Sequence, residues 1–512
     1  MRVTTKVIQN NTLSNINVNK VLQDKLSNQM GTQKKINRPS DDPVVAIRAL
    51  RLRSNVSQVT QYYEKNVPDA KSWLEITEDA LENVSDVVGD MIKECQKGSS
   101  EKLTNSDRKA ILDAISSLRK EVYSTGNSDY AGRNIFTGYR TDTTLKFTKA
   151  ETKSYAITEQ VNLTDIDSVK YIEMNGLDEL TEANFDATSM AGIDETGIKE
   201  YDIHRFRMAY DDVDEVSAGI EMSYVDGGVE NSIGTIASMD KEAAYDAISQ
   251  ANDSDTEMAV YIPETGEILM SDKYYENNVE ANDGHEFRIT YSKSRWEVDD
   301  LRPEHYFACT DMTDPNPLNY IEYNKEYLTS AEREKQAIEY DVGLNQVIRV
   351  NTTADEVFTH DIGRDVDDLI NVMDEIDDLE RTIETLNSLA DSNSLDPTKM
   401  DIINSQLEAA NKAKTYLNEK RQKLFEGSIT KMQKNLDNVN YAITNCGTRS
   451  KKLELIENRL MSQKTSFETL ASDNENVDFA EVAIQLSSAE MTYDAALMAT
   501  SKVLQTTLVN YL

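Results

Sequence analysis

The chain has 512 residues, with 91 acidic against 54 basic side chains for a net charge of −37, and only 19 Gly, 8 Pro and 3 Cys. So few Gly and Pro exclude collagen-like and low-complexity classes. So acidic a surface excludes nucleic-acid binding across its whole extent, and no apolar run approaches the roughly 18 residues of a membrane span.

The first element predicted is a helix from about Thr4 to Met30, free of Gly and Pro, with apolar residues at Val3, Val7, Leu13, Ile16, Leu22, Leu26 and Met30. Six Asn and three Gln among the first 30 residues make it weak when alone. These residues show neither an apolar h-region nor a small-residue cleavage site, so no cleaved secretory signal is expected. Ser40-Asp41-Asp42-Pro43 then reads as a helix start, with either aspartate able to cap free N–H groups and Pro43 suited to the first helical position.

A long helix is predicted from about Pro43 to Cys95, kinked near Pro68, with a stripe of Ala46, Leu50, Val56, Val59, Tyr63, Trp73 or Leu74, Leu81, Val84, Val88, Met91 and Cys95. A further helix, capped by Ser106 or Asp107, carries Ile111, Ile115, Leu118 and Val122. From about Gly126 to Tyr327 the period changes. Strand-like pieces appear at Thr144–Phe147, Val161–Leu163, Met258–Ile262 and Phe287–Tyr291, separated by turns such as Asp226-Gly227-Gly228 and Asn282-Asp283-Gly284. Two more strands are expected near Tyr340–Leu344 and Val347–Val350.

Helical period returns at Leu369, Val372, Ile376, Leu379, Ile383, Leu386 and Leu389, and Asp396-Pro397 starts another helix. A seam follows at Leu453, Ile456, Leu460, Phe467 and Leu470. Asp478 caps a last helix bearing Val482, Leu486, Ala489, Tyr493, Leu497, Thr500, Leu504 and Leu508, which runs to Leu512. The expected fold is mainly α with a β-rich inserted domain, the two termini forming a long antiparallel helical bundle or coiled coil. The expected segments are 1–42, a terminal helix pairing with 476–512; 43–140, half of the helical core; 141–330, an acidic β-rich insert; 331–475, a β-hairpin and the other half of the core; and 476–512, an assembly helix. Residues 1–60 hold ten basic and three acidic side chains and residues 446–512 six and nine, so the middle carries the acidity. That division suggests ends that face each other and a middle that faces solvent.

Motifs for chemistry are sparse. His285-Glu286 lacks the second histidine of a zincin, the runs Asp211–Glu215 and Asp365–Asp368 do not follow EF-hand spacing, and Cys95, Cys309 and Cys446 are too scattered for a CxxC site. The acid runs are expected to be solvated faces and the thiols buried and inert. No enzyme activity, cofactor or metal is expected.

The ends resemble a known family. Lys35-Ile36-Asn37-Arg38-Pro39-Ser40-Asp41-Asp42-Pro43 resembles the signature turn of flagellin-superfamily N-termini, and Asn127–Gly138 the turn after that family's N-terminal core helices. The segment from Val477 to Gln485-Leu486, through Tyr493 to Asn510-Tyr511-Leu512, is similar to the hook–filament junction branch, the hook-associated protein 3 family. The resemblance covers roughly 1–140 and 330–512. It implies a structural adaptor of the bacterial flagellum, exported by the flagellar type III apparatus without signal cleavage and placed outside the cell at the distal end of the hook. It also implies partners: a ring of its own copies, hook-associated protein 1, flagellin, and a cytoplasmic export chaperone on the C-terminal helix. The alternatives are a flagellin, the filament subunit, or a flagellin-like protein with an enzymatic insert. The seams mark Val7, Leu22, Leu26, Val482, Leu486, Tyr493, Leu497, Leu504, Leu508 and Leu512 as candidate assembly residues.

Overall fold

The computed structural model describes residues 5–100, 103–216, 219–328, 336–393 and 396–509. Four helices open the chain: α1 (Thr5–Thr32), α2 (Pro43–Gln61), α3 (Val67–Gly98) and α4 (Asn105–Thr125). A hairpin of β1 (Asp129–Tyr130) and β2 (Arg133–Asn134) leads to β3 (Glu151–Val161), β4 (Ile166–Glu173), β5 (Lys199–Arg207), β6 (Ile220–Asp226) and β7 (Val229–Ser238). Then come α5 (Lys241–Asp253), β8 (Ala259–Ile262), β9 (Glu267–Met270), the single turn α6 (Asp272–Tyr274), β10 (Glu286–Trp296), β11 (Ala308–Asp311) and β12 (Ile321–Tyr323). A second hairpin, β13 (Glu339–Gly343) and β14 (Gln346–Arg349), precedes α7 (His360–Ser392), α8 (Pro397–Glu475) and α9 (Phe479–Val509). The chain divides into two compact units, Met1–Lys71 with Tyr340–Ile348 and Lys451–Leu512, and Ser72–Glu339 with Arg349–Ser450.

In the first unit α1 and α9 lie antiparallel. Leu26 and Met30, near the end of α1, pack on Val477, Val482, Leu486 and Ala489 at the start of α9. α2 covers Ala46, Ala49 and Val59 and leaves Leu50 exposed. Pro68 has no N–H to give the fourth residue before it. The chain widens into a π-turn over Tyr62–Asn66, in which the Val67 N–H reaches back to Tyr62 O.

In the second unit ten strands form one sheet in the order β12-β11-β3-β10-β6-β7-β8-β9-β5-β4. β7 and β8 run parallel and are joined by α5, the crossover that parallel neighbours need; the other pairs in the sheet are antiparallel. Alternation puts Tyr155, Ile157, Glu159 and Val161 of β3 and Phe287, Ile289, Tyr291 and Lys293 of β10 inside. α5 closes one face, with Ala244 and Ile248 against Val169, Ile203, Val260, Ile262 and Leu269. The segment Thr144–Phe147, expected as a strand, contributes only an isolated bridge from Lys146 to Leu301. Trp73, Leu74, Leu81, Val84, Val88, Met91 and Cys95 of α3 are all buried, as are Ile111, Ile115 and Val122 of α4. The cap of α4 is Thr104, closed into a capping box by Asp107. α3 stops at Gly98, where a Cβ would lie 2.1 Å from the Phe425 ring, and Arg421 of α8 donates to the Gly98 carbonyl at 3.1 Å.

The run Asp365–Asp368 is not the solvated face expected. Arg205 of β5 binds Asp368 through both carboxylate oxygens (3.0 and 2.8 Å), and also Asp167 and Glu267. Arg207 binds Asp365 at 2.6 Å and Asp368 at 3.0 Å. The two guanidiniums hold the Asp368 carboxyl well below its ordinary value against the opposing cost of burial. All three cysteines are buried, and burial pushes the Cys95 and Cys446 thiols up to about 12.

Candidate assembly surface

The turn between α1 and α2 is built by two aspartates with separate tasks. Asp42 is the N-cap, accepting from the Val44 and Val45 N–H groups at 3.0 and 3.1 Å. Asp41 accepts from Asn37 and Arg38 N–H at 3.1 and 2.9 Å, and those bonds hold its carboxyl below the usual range. Ser40 lies exposed in the turn and Pro43 opens the helix. At the other end, Asp478 accepts from Ala480 and Glu481 N–H at 2.9 and 3.3 Å and starts α9.

These two turns are fastened together. Lys35 N–H donates to Glu475 O at 2.7 Å and Val477 N–H to Gln33 O at 3.1 Å. Lys34 Nζ donates to Asn476 Oδ1 at 2.6 Å, and Asn474 Nδ2 to Val45 O at 3.2 Å. Glu475 also receives Arg53 as a bidentate pair, whose hydrogen bond holds its carboxyl below the ordinary range.

Outward from this fastening the pairing thins. The covered line of α1 is Gln9, Thr12, Ile16, Asn19, Gln23, Leu26 and Met30, and that of α9 is Val482, Leu486, Ala489, Tyr493, Ala496 and Thr500. Both lines advance by alternating steps of three and four, as an antiparallel coiled coil requires. Only Ile16, Leu26, Val482 and Ala489 on them are fully buried hydrophobics.

A second set of apolar side chains is left outside. On α1 it comprises Val7, Ile8, Leu13, Val18, Val21 and Leu22; on α2, Val44, Ile47 and Leu50; on α9, Phe479, Ile484, Met491, Leu497 and Met498. Ile484 is 71% exposed and Leu497 43% exposed. The helices also expose Lys6, Lys20, Lys25, Arg48 and Arg51. Single exposed apolar residues are ordinary, whereas so many along helices of one unit make a candidate interaction face.

The candidate residues therefore divide. Leu26 and Val482 are buried in the α1–α9 pair, Leu486 and Tyr493 are half-buried beside them, and Val7, Leu22 and Leu497 are exposed. Leu504 and Leu508 fall within α9 but their side chains, and Leu512 altogether, lie outside the described residues. The sequence reading missed Val18, Val21, Ile484, Met491 and Met498. Their signal was present, as apolar residues off the helical stripe.

Residues 3–141 match the model of the bacterial flagellin N-terminal helical region. Flagellar hook-associated protein 3 of Salmonella typhimurium is 28% identical over 143 residues, 28% of this chain and 45% of that protein. The protein of the same name from Escherichia coli is 28% identical over 144 residues, again 28% of this chain and 45% of that protein. The chain thus spans about half the length of the curated relatives it matches. The solved flagellar hook-associated protein 3 of Legionella pneumophila aligns at 10% identity over 82% of this chain and 97% of that one, with a TM-score of 0.29. The match over 3–141 falls on the N-terminal part of the flagellin-superfamily resemblance, and both curated relatives carry the name flagellar hook-associated protein 3.

Proposed function

We propose that the chain is a structural adaptor of the bacterial flagellum that joins the hook to the filament. One observation carries the reading. The terminal helices pair through a thin seam and leave a second apolar set exposed, in a chain whose N-terminal helical region is flagellin-like. A surface of that kind is satisfied by neighbouring copies. The adaptor assembles as a ring at the distal end of the hook, between hook-associated protein 1 and flagellin. It reaches that place by flagellar export without signal cleavage, held beforehand by a cytoplasmic chaperone on α9. Of the candidate assembly residues, Val7, Leu22 and Leu497 act in this surface, Leu26, Val482, Leu486 and Tyr493 hold together the helix pair that presents it, Leu504, Leu508 and Leu512 extend it, and segment 141–330 is an insert outside it. The role is structural and not catalytic. A filament subunit is the less favoured reading, since both curated relatives are named flagellar hook-associated protein 3 and not flagellin.

Gold-labelled antibody against the protein on isolated flagella tests the reading. Label confined to one band where hook meets filament is expected, and removal of the gene should leave hooks without filaments. Label along the whole filament would contradict it.

A further inference from the structure

The outward faces of α2 and α9, both in the first unit, are alike in apolar content and opposite in charge. On α2, Val44, Ile47 and Leu50 are each more than half exposed and stand on the side away from the buried Ala46, Ala49 and Val59. At about 100° of helix per residue, Arg48 and Arg51 fall on that same side. α2 has no acidic residue. Its third charge, Arg53, is held by Glu475, whereas Arg48 and Arg51 are exposed and have no ion-pair partner among the described residues.

On α9, Ile484, Met491 and Met498 follow one another at intervals of seven, on the side away from the buried Val482 and Ala489, and each is more than half exposed. Glu490 and Asp494 stand beside that line, exposed and likewise without an ion-pair partner among the described residues. The basic residue of α9, Lys502, lies beyond them toward the C-terminus. Along the helix axes Arg48 and Arg51 are about 4.5 Å apart, and Glu490 and Asp494 about 6 Å apart, so one crossing of the two helices brings both pairs together. Like faces do not fit in this way. α2 laid on a second α2 sets Arg48 and Arg51 against their own counterparts, and α9 on α9 does the same with Glu490 and Asp494. α2 on α9 buries apolar surface from both sides and gives each of the four charges an opposite partner.

We propose that the outward face of α2 on one copy of the chain seats on the outward face of α9 on the next copy, with Arg48 and Arg51 meeting Glu490 and Asp494 around Ile47, Leu50, Met491 and Met498. The proposal rests on the reading that copies assemble through this unit, and it says which face meets which. Because the two faces differ, the contact is heterologous. It runs head to tail and does not end at a dimer, so its repetition builds a ring or a helix.

The test uses the full chain in cells that lack the native gene, with the exported amount and the melting temperature of each variant checked against the wild type. Ile47→Cys and Met491→Cys are carried by two separately expressed copies; the native Cys95, Cys309 and Cys446 are buried, and the wild type gives their background. Mild oxidation of isolated flagella should yield a disulfide-linked dimer with one copy of each variant, absent from the wild type and from either variant alone. A dimer formed by either variant alone as readily as by the mixture would show like faces meeting and overturn the proposal. Charge reversal gives the second measurement. Arg48→Glu with Arg51→Glu, and Glu490→Lys with Asp494→Lys, should each lower the number of filaments per cell about tenfold or more, because like charges then oppose each other at every contact. The four changes together should bring most filaments back. Loss in both half-reversed chains with neither recovery in the fourfold chain nor a mixed dimer would overturn this pairing and leave the assembly surface in place, met there by a different neighbour. Normal filaments in both half-reversed chains would overturn the pairing and count against assembly through this unit as well.

Discussion

Arg53 and Glu475, 422 residues apart in the chain, meet through two hydrogen bonds, Nε to Oε1 at 2.5 Å and Nη2 to Oε2 at 2.6 Å. The pair joins α2 to the last residue of α8, where the chain turns into α9. Arg53 is mostly exposed and Glu475 mostly buried, so the pair's worth is modest in energy and large in geometry. Arg53→Met should cost about 1 kcal/mol. Hydrogen exchange should quicken at Gln33–Lys35 and Glu475–Val477 ahead of the rest of the unit.

Acid should act on the same place. The Arg53 hydrogen bond lowers the Glu475 pKa in the folded chain, so Glu475 contributes stability above the ordinary carboxylate range near pH 4, and that contribution is lost as pH falls through the lowered value. Exchange at the fastening should therefore rise below about pH 4 in the wild type. In Arg53→Met it should already be high at pH 7 and respond less to acid. An unchanged acid response in the variant would remove Arg53 as the cause.

Protection along the terminal helices should be graded. Apolar burial is concentrated at Leu26, Met30, Val482, Leu486 and Ala489, while the covered positions of α1 farther out are Gln9, Thr12, Asn19 and Gln23 apart from Ile16. Amides near Val7 and beyond Tyr493 should exchange much faster than those near Leu26 and Val482. Leu26→Asp should unpair the helices, at a cost of about 3 kcal/mol or more for an unpartnered buried charge. Uniform strong protection from end to end would contradict this picture.

Arg205 faces three carboxylates, Asp167, Glu267 and Asp368. Arg205→Met should cost about 3–5 kcal/mol, read as a fall in the thermal midpoint. The same pairs set what removal of the insert should do. A chain lacking 145–325 also loses Arg207, taking both arginine partners from Asp368 and leaving Asp365 with Lys431. Circular dichroism should show weakened helicity in that variant, and Asp365→Asn with Asp368→Asn should restore it. Full helicity without those replacements would mean that the ion cluster ties nothing to the helices.

The second half of α3 and most of α7 were legible because their stripes are apolar without interruption: Leu81, Val84, Val88, Met91 and Cys95 are all buried. α1 was misread because its covered line is largely polar, and the eye follows Val7, Leu13 and Leu22 to the wrong side. α8 hid its length in a similar way. Its buried line carries Gln406, Arg421, Ser428 and Asn435 among the apolar residues, and these side chains include ones that serve distant backbone, Gln406 reaching the Phe185 and Met190 carbonyls. The burial of Asp365 and Asp368 was not readable because the arginines that compensate them lie some 160 residues earlier. The helix starts at Asp42 and Asp478 were readable, being local chemistry.

The central claim is that the exposed apolar set on the terminal helices is where copies of this chain and its neighbours assemble. Leu497→Asp tests it most directly, since that side chain is 43% exposed on α9 and the substitution should change the isolated protein's stability by less than about 1 kcal/mol. In an assembly the same carboxylate would be buried without a partner, at several kcal/mol per copy. Electron microscopy of cells carrying Leu497→Asp, with the protein exported at its normal level, should show hooks without filaments and flagellin free in the medium. Hooks bearing normal filaments in cells that swim normally would contradict the account.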